Sequence, residues 1–308
     1  MKIVFMGTPE FAVPSLQSLL DEGHEVLAAY TQPDKPKGRG YKLAPPPVKE
    51  LALLHHIPVY QPLTLKNGEA AEKIKSLAPD CIVVVAYGKI LPKAVLDIPK
   101  YGCVNVHASL LPKYRGAGPI QWSVINGEKE TGVTTMYMAE GIDTGDMILQ
   151  EKTSISPDET AGELHDRLSV LGGGLIAETL RQIESGKAPR ISQNDGESCY
   201  APMLDKALSG LDFEKAAKEV HCKIMGLSPW PAATAVLDQK LLKIHRSRLH
   251  PEVKGECGEI VDENKFIVAC RDGGVELLTV QLEGGKKMNS SDFLRGHPIK
   301  KGNFLQKA

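Results

Sequence analysis

Three residue types suited to polar group transfer stand close together in the sequence. Asn105 and His107 are two residues apart in Cys103-Val104-Asn105-Val106-His107-Ala108-Ser109-Leu110-Leu111-Pro112. Asp143 lies in Glu140-Gly141-Ile142-Asp143-Thr144-Gly145-Asp146. On a strand, residues i and i+2 share a face, so Asn105 and His107 are expected to project together. An amide supplies an oxyanion donor, an imidazole a titratable group, and a carboxylate a partner that tunes the imidazole. Taken singly each residue is ordinary, since an Asp between glycines is a common turn former.

Elements that would position this trio are legible around it. Residues 2–6 read as a short buried strand, 10–20 carry apolar residues at helical spacing, and 25–30 form a second strand. Strand, helix, strand opens a doubly wound α/β sheet. Gly7, Pro9 and Ala12 stand where a G-x-G-x-x-G fingerprint needs three glycines, so this turn is read as a βα turn without a dinucleotide site. Further helices are expected at 48–56 and 69–77. The run Cys81-Ile82-Val83-Val84-Val85-Ala86 fits a central strand buried on both faces. It ends at Tyr87-Gly88, where an open α/β sheet meets its ligands. Residues 101–106 form the strand that delivers Asn105 and His107. Pro119 opens a helix to 126, strands follow at 131–138 and 147–155, and 158–185 is mostly helical, with Asp158 or Thr160 as cap. Gly172-Gly173-Gly174 within that helix permits close packing.

Residues 31–47 break the pattern. Lys35, Lys37, Arg39 and Lys42 are set among prolines and glycines with Asp34. The segment is long for a βα loop, where roughly 2–6 residues are usual. Its basic bias suits phosphates, and it equally suits a solvated surface loop. From 189 to 209 Pro, Asn, Asp, Gly and Ser are enriched, which marks a linker. A helix at 213–225 and short strands at 232–237, 241–247, 258–261, 265–269 and 275–281 then suggest a small antiparallel, OB-like barrel. The tail is basic, with Lys300 and Lys301 next to such a barrel, and is expected to track a phosphate backbone.

Length and composition agree with two domains: 308 residues at roughly 150 per domain. The expected division is a catalytic Rossmann-like domain at 1–188, a linker at 189–209 and the barrel domain at 210–308. A net charge of -1 demands no polyanionic partner, so any nucleic-acid surface must be local. None of the six cysteines forms a C-x-x-C pair, and they are read as small buried thiols and not as metal ligands. No apolar stretch reaches the ~18 residues of a membrane span. The first residues read as strand and turn, not as a signal peptide, so a cytoplasmic protein is expected. From the residues alone the reading stops at an α/β enzyme performing polar group transfer. There is no G-x-S-x-G elbow and no P-loop lysine.

Asn105-Val106-His107 followed by Ser109-Leu110-Leu111-Pro112 and Asp143-Thr144-Gly145 resembles the signature of the formyltransferases that use 10-formyltetrahydrofolate. Phe5-Met6-Gly7-Thr8-Pro9-Glu10-Phe11-Ala12, Thr31-Gln32-Pro33-Asp34 with Gly38-Arg39-Gly40, Val84-Val85-Ala86-Tyr87-Gly88 and Ser228-Pro229-Trp230-Pro231 extend the resemblance over essentially the whole chain. Through the Gly38-Arg39-Gly40 loop and the expected C-terminal barrel, the chain resembles the branch whose amine acceptor is methionyl-initiator tRNA. The resemblance implies that Asn105 and a protonated His107 stabilise an oxyanion. Asp143 would hold the imidazolium and relay the amine's proton through water. Ser109, Leu110, Leu111 and Pro112 would contact the folate, and the backbone around Tyr87, Gly88, Asp143 and Thr144 would read the pterin. Arg39, with Lys35, Lys37 and Lys42, would enter the tRNA acceptor stem, and the barrel with Lys300 and Lys301 would hold the tRNA backbone. It implies no metal and a monomer. The alternatives are formylation of another amine, on a nucleotide sugar or a purine precursor, and a catalytically inactive RNA-binding homologue.

Overall fold

The computed structural model describes residues 1–37 and 42–308; Arg39, assigned to tRNA from the sequence, lies outside the described residues, as do the side chains of Lys37 and Lys42. In chain order the first elements are β1 (Lys2–Gly7), α1 (Val13–Asp21), β2 (Glu25–Tyr30), β3 (Lys35–Lys37), β4 (Lys42–Ala44), α2 (Pro47–Leu54), β5 (Val59–Tyr60), α3 (Glu69–Leu77) and β6 (Cys81–Val85). There follow α4 (Lys93–Leu96), β7 (Cys103–His107), α5 (Pro119–Ile125), β8 (Glu130–Tyr137), β9 (Met147–Ser154), α6 (Ala161–Glu184) and α7 (Ala217–Gly226). The remainder comprises β10 (Ala233–Leu237), β11 (Lys240–His250), β12 (Ile260–Asp262), β13 (Ile267–Cys270), β14 (Gly273–Leu282), β15 (Met288–Asn289), α8 (Ser290–Gly296) and β16 (Gln306–Lys307). Contacts divide the chain into two units. The first is Met1–Gly116, Gly132–Thr153 and His165–Tyr200; the second is Ala117–Thr131, Ser154–Leu164 and Ala201–Ala308.

The first unit is the expected doubly wound sheet, in the order β5-β2-β1-β6-β7-β8-β9. Neighbours from β5 through β7 run parallel, and β8 pairs antiparallel with β7. The order reverses between β1 and β6, so the crevice at their carboxyl ends is the topological switch point. Thr8 Oγ1 donates to the Tyr87 carbonyl across that point at 3.2 Å. Strand β6 is buried at every residue, as its unbroken β-branched run requires. On the back of β7, helix α6 comes close because it carries no side chain there. A Cβ on Gly172 would meet Val106 Cγ1 at 3.0 Å, and one on Gly173 the Pro14 carbonyl oxygen at 2.9 Å. Thr160 and Glu163 form a capping box before α6: the Glu163 N–H donates to Thr160 Oγ1 at 3.2 Å, and the Thr160 N–H donates to Glu163 Oε2 at 2.9 Å.

The basic segment, read as a loop, contains two short strands. Lys35, Pro36 and Lys37 pair antiparallel with Ala44, Leu43 and Lys42. Three-residue strands bearing proline leave no alternation to detect, and an isolated pair tolerates the missing N–H.

In the second unit, β12-β13-β14-β11-β10-β16 form one sheet, with antiparallel pairing throughout and β15 on the side of β14. The C-terminal segment closes it. Gln306 and Lys307 pair with β10, while Ile260 N–H donates to the Asn303 carbonyl at 2.7 Å and Leu305 N–H to the Gly258 carbonyl at 2.8 Å. One segment thus covers both open edges, which leaves a small barrel. Strand β11 outruns the expected 241–247 because its register shifts between Ile244 and Ser247. A bulge breaks the side-chain alternation while pairing with β14 continues to His250.

Candidate active site

His107 is the last residue of β7 and is 6% exposed. Its Nε2 donates to the Tyr114 carbonyl at 2.9 Å, and its Nδ1 lies 3.5 Å from Asp143 Oδ2. A ring with both nitrogens facing oxygen acceptors donates to both only as the imidazolium. The acceptors are held firmly. Asp143 Oδ2 also accepts the Gly116 N–H at 2.8 Å. Tyr114 and Asp143 adopt positive φ, 60° and 53°, a conformation that costs a non-glycine residue roughly 1–2 kcal/mol. Two left-handed residues converging on one imidazole is the kind of stored strain found at functional sites.

Asn105 lies two residues back on the same face of β7, opposite Val84 and Met136. It is half-buried, and its side-chain amide makes no hydrogen bond among the described residues. The structure therefore brings Asn105, His107 and Asp143 to one end of the sheet, with the amide uncommitted. A free amide donor beside a ring that can carry positive charge fits an acyl oxygen that gains negative charge.

The turn after β7 is pinned from behind. Thr134 Oγ1 donates to the Ser109 carbonyl at 2.6 Å and accepts the Leu111 N–H at 3.1 Å. Gln150 Nε2 donates to the Leu111 carbonyl at 2.8 Å. Ser109 is fully buried, its hydroxyl donating to the Lys113 carbonyl at 2.6 Å, and Leu111 is buried too; Leu110 and Pro112 are the half-buried residues of the turn. Tyr87 is 1% exposed and belongs to the apolar core, where burial pushes its phenol up to about 12. Its carbonyl is taken by Thr8 and by Gln32 Nε2 at 3.0 Å, while Ala86 and Gly88 on either side are exposed. Thr144 is exposed. Beside the Asp143 loop lies a cavity of about 320 Å³ whose lining includes Leu96, Cys103, Met138, Ala139 and Glu140. Arg190 stacks 3.8 Å over the Tyr137 ring at its rim. Burial, then the Asp97 carboxylate, pushes the Cys103 thiol up to about 12.

Lys35, Lys300 and Lys301 are exposed. Cys81, Cys103 and Cys270 are buried thiols as the sequence suggests, but Cys199 and Cys257 are exposed. Sequence reasoning overlooked Tyr114, Arg115 and Gly116 as partners of the trio, and Gln193, whose side chain bonds to the Asp143 loop. Backbone atoms supply most of these contacts, and backbone contacts leave no residue-type signal.

No helix among the described residues is long and apolar enough to cross a membrane. The family described as formyl transferase matches residues 1–180, and the formyl transferase C-terminal domain matches residues 203–298. A methionyl-tRNA formyltransferase from Geotalea uraniireducens is 52% identical over 309 aligned residues, covering 100% of this chain and 98% of the relative. The methionyl-tRNA formyltransferase of Clostridioides difficile is 50% identical over 99% of this chain and 100% of its own length. Among solved structures, the N-formyltransferase from Helicobacter canadensis, in complex with folinic acid and dTDP-3-aminofucose, superposes with a TM-score of 0.70 at 24% identity, over 94% of this chain and 100% of that one. Both domain matches, and relatives half identical from end to end, show that the chain belongs to the formyltransferase family, in its methionyl-tRNA formyltransferase branch.

Proposed function

We propose that this protein transfers the formyl group of 10-formyltetrahydrofolate to the α-amino group of methionyl-initiator tRNA, giving N-formylmethionyl-tRNA. The observation that carries the chemistry is His107 held between two acceptors, with the free Asn105 amide on the same strand face. The α-amino group attacks the electrophilic formyl carbon of the folate, and the tetrahedral oxyanion collapses with cleavage of the N10–formyl bond, the amine nitrogen losing a proton and the folate nitrogen gaining one. The Asn105 amide donates to the formyl oxygen as negative charge grows on it, while the His107 ring, whose nitrogens stay on Tyr114 and Asp143, stabilises that charge through space by its own positive charge. A preorganised donor of this kind is worth roughly 3–4 kcal/mol in a dry site. The Asp143 carboxylate faces Nδ1 of that ring and relays the amine's proton through water.

The folate is held by the exposed parts of the 109–112 turn, chiefly Leu110 and Pro112, with Ser109 and Leu111 shaping the turn from within. The cavity lined by residues 137–140 suits a flat pterin, with apolar contacts from Leu96, Cys103 and Met138, and the backbone around Asp143 and Thr144 serves its polar edge. The Tyr87-Gly88 backbone contacts the pterin through Gly88, the exposed residue of the two. Residues 31–47 contact the acceptor stem, with Arg39 as the specific contact and Lys35, Lys37 and Lys42 on phosphates. Lys300 and Lys301 hold the tRNA backbone. The functional division runs 1–188 for catalysis, 189–209 as connection and 210–308 for tRNA, in a cytoplasmic monomer.

Incubation with 10-formyltetrahydrofolate and methionyl-initiator tRNA tests the proposal. The expected product is formylmethionine on the tRNA. Unmodified tRNA, with formyl found on a dTDP-linked amino sugar or with the folate unconsumed, would overturn it.

A further inference from the structure

Gln193 belongs to no motif, yet every polar atom of its side chain is used within the site. Its Oε1 accepts from Arg115 Nε at 3.0 Å and from Arg115 Nη2 at 2.8 Å. Its Nε2 donates to the carbonyls of Asp143 and Gly145, each at 2.8 Å. The amide's orientation is fixed by its neighbours, because a guanidinium only donates and carbonyls only accept. Arg115 is 11% exposed and is anchored a second time on Asp195 Oδ1 at 2.8 Å. It sits between Tyr114, whose carbonyl takes His107 Nε2, and Gly116, whose N–H holds Asp143 Oδ2.

Two separate chain segments therefore present the acceptors to His107, and Gln193 joins them. One amide group ties the side chain of the 114–116 segment to the backbone of the 143–145 segment. Without it, a left-handed Asp143 flanked by exposed Ile142 and Thr144 is held among the described residues by its own carboxylate contacts and, three residues on, by the Tyr137 N–H on the Asp146 carbonyl at 2.9 Å. We propose that Gln193 is a positioning residue for formyl transfer, setting the Asp143 loop against the 114–116 segment and so fixing the His107–Asp143 geometry. This rests on the catalytic reading of Asp143 given above.

Gln193→Glu tests it with an almost isosteric change. The carboxylate still pairs with Arg115 but offers no N–H to either carbonyl. A misplacement near 1 Å at a reacting group costs up to about 100-fold, so kcat is expected to fall roughly 10- to 100-fold while KM for tRNA stays within about two-fold. Combined with Asp143→Asn, it should add little further loss, because it acts through Asp143; a general weakening of the fold would add in full. Should Gln193→Glu melt well below wild type, Arg115→Lys, which leaves Gln193 intact but removes the fork, must give the same kcat-selective, non-additive loss. A near-native kcat, a loss confined to KM, or full additivity with Asp143→Asn overturns the inference. If Asp143→Asn is itself fully active, the catalytic reading falls and takes this inference with it. If only Gln193→Glu is fully active, the positioning role alone falls.

Discussion

His107 Nδ1 faces Asp143 Oδ2 at 3.5 Å, and the Gly116 N–H donates to that same oxygen at 2.8 Å. The carboxylate is thus aimed by backbone, not by its own loop alone. His107→Ala and Asp143→Ala are each expected to reduce formyl transfer by about 100- to 10,000-fold, the usual worth of a positioned acid–base group. Single-turnover formylation measures the loss, and circular dichroism melts check that the variants remain folded. A variant that keeps near-native kcat would remove its residue from the chemistry.

The three adjacent glycines of α6 are not equivalent. At Gly173 a Cβ would press on the Pro14 carbonyl oxygen at 2.9 Å, a backbone atom that cannot swing aside; at Gly174 nothing lies within 4 Å. Gly173→Ala should therefore destabilise by about 1–3 kcal/mol through overpacking. Gly174→Ala should stabilise by about 0.5–1 kcal/mol, because alanine is the better helix former. Urea melts of the two variants should move in opposite directions. Equal shifts would mean that α6 does not lie against α1 as described.

These glycines also mark where the sequence was informative. Their spacing announced a close approach but could not name Pro14 or Val106 as what is approached. Strands β1, β2 and β7 were legible as short apolar-rich runs, and β6 most clearly, because a parallel strand buried on both faces needs a continuous β-branched run. Two-residue β5 and four-residue α4 are too short to show a period. Asn105, His107 and Asp143 were legible as side chains at strand ends. Tyr114 and Gly116 were not, because they act through a carbonyl and an N–H that every residue has. Gln193 was hidden for another reason: its surroundings have the composition of a linker, yet Ile191 pairs with Met147 and the Arg115 N–H donates to the Cys199 carbonyl at 2.9 Å.

His245 on β11 is 7% exposed, and its Nδ1 has no hydrogen-bond partner among the described residues. Burial first, then the nearby Lys287 ammonium group, hold its pKa below the usual 6.5 against an upward pull from the Gln281 hydrogen bond, with Lys243 adding a smaller downward effect. The unfolded chain binds a proton at this site below about pH 6.5 and the folded chain does not until lower pH, so stability falls as pH drops through that window. His24, also lowered by burial, contributes in the same direction. His245→Leu should therefore lose less stability than wild type between about pH 7.5 and pH 5.5. Thermal melts at both pH values measure this, and an unchanged difference would assign the acid sensitivity elsewhere.

Lys300 and Lys301 have pinned backbones and uncommitted side chains. The Lys300 N–H donates to Asn303 Oδ1 at 2.8 Å and the Lys301 N–H to Glu263 Oε2 at 2.6 Å, while neither ammonium group has a partner among the described residues. Cations fixed at the base and free at the tip suit phosphate contacts, and each neutralised duplex phosphate contributes about 0.9 to the slope of log K against log salt. Replacing both residues by alanine should make the slope for tRNA binding shallower by roughly 1–2 while leaving the KM for folate unchanged. Filter binding across a salt series reads the slope directly. A slope equal to that of the wild type would make this end of the chain a solvated terminus, and the tRNA backbone would have to be held by other cations of the barrel.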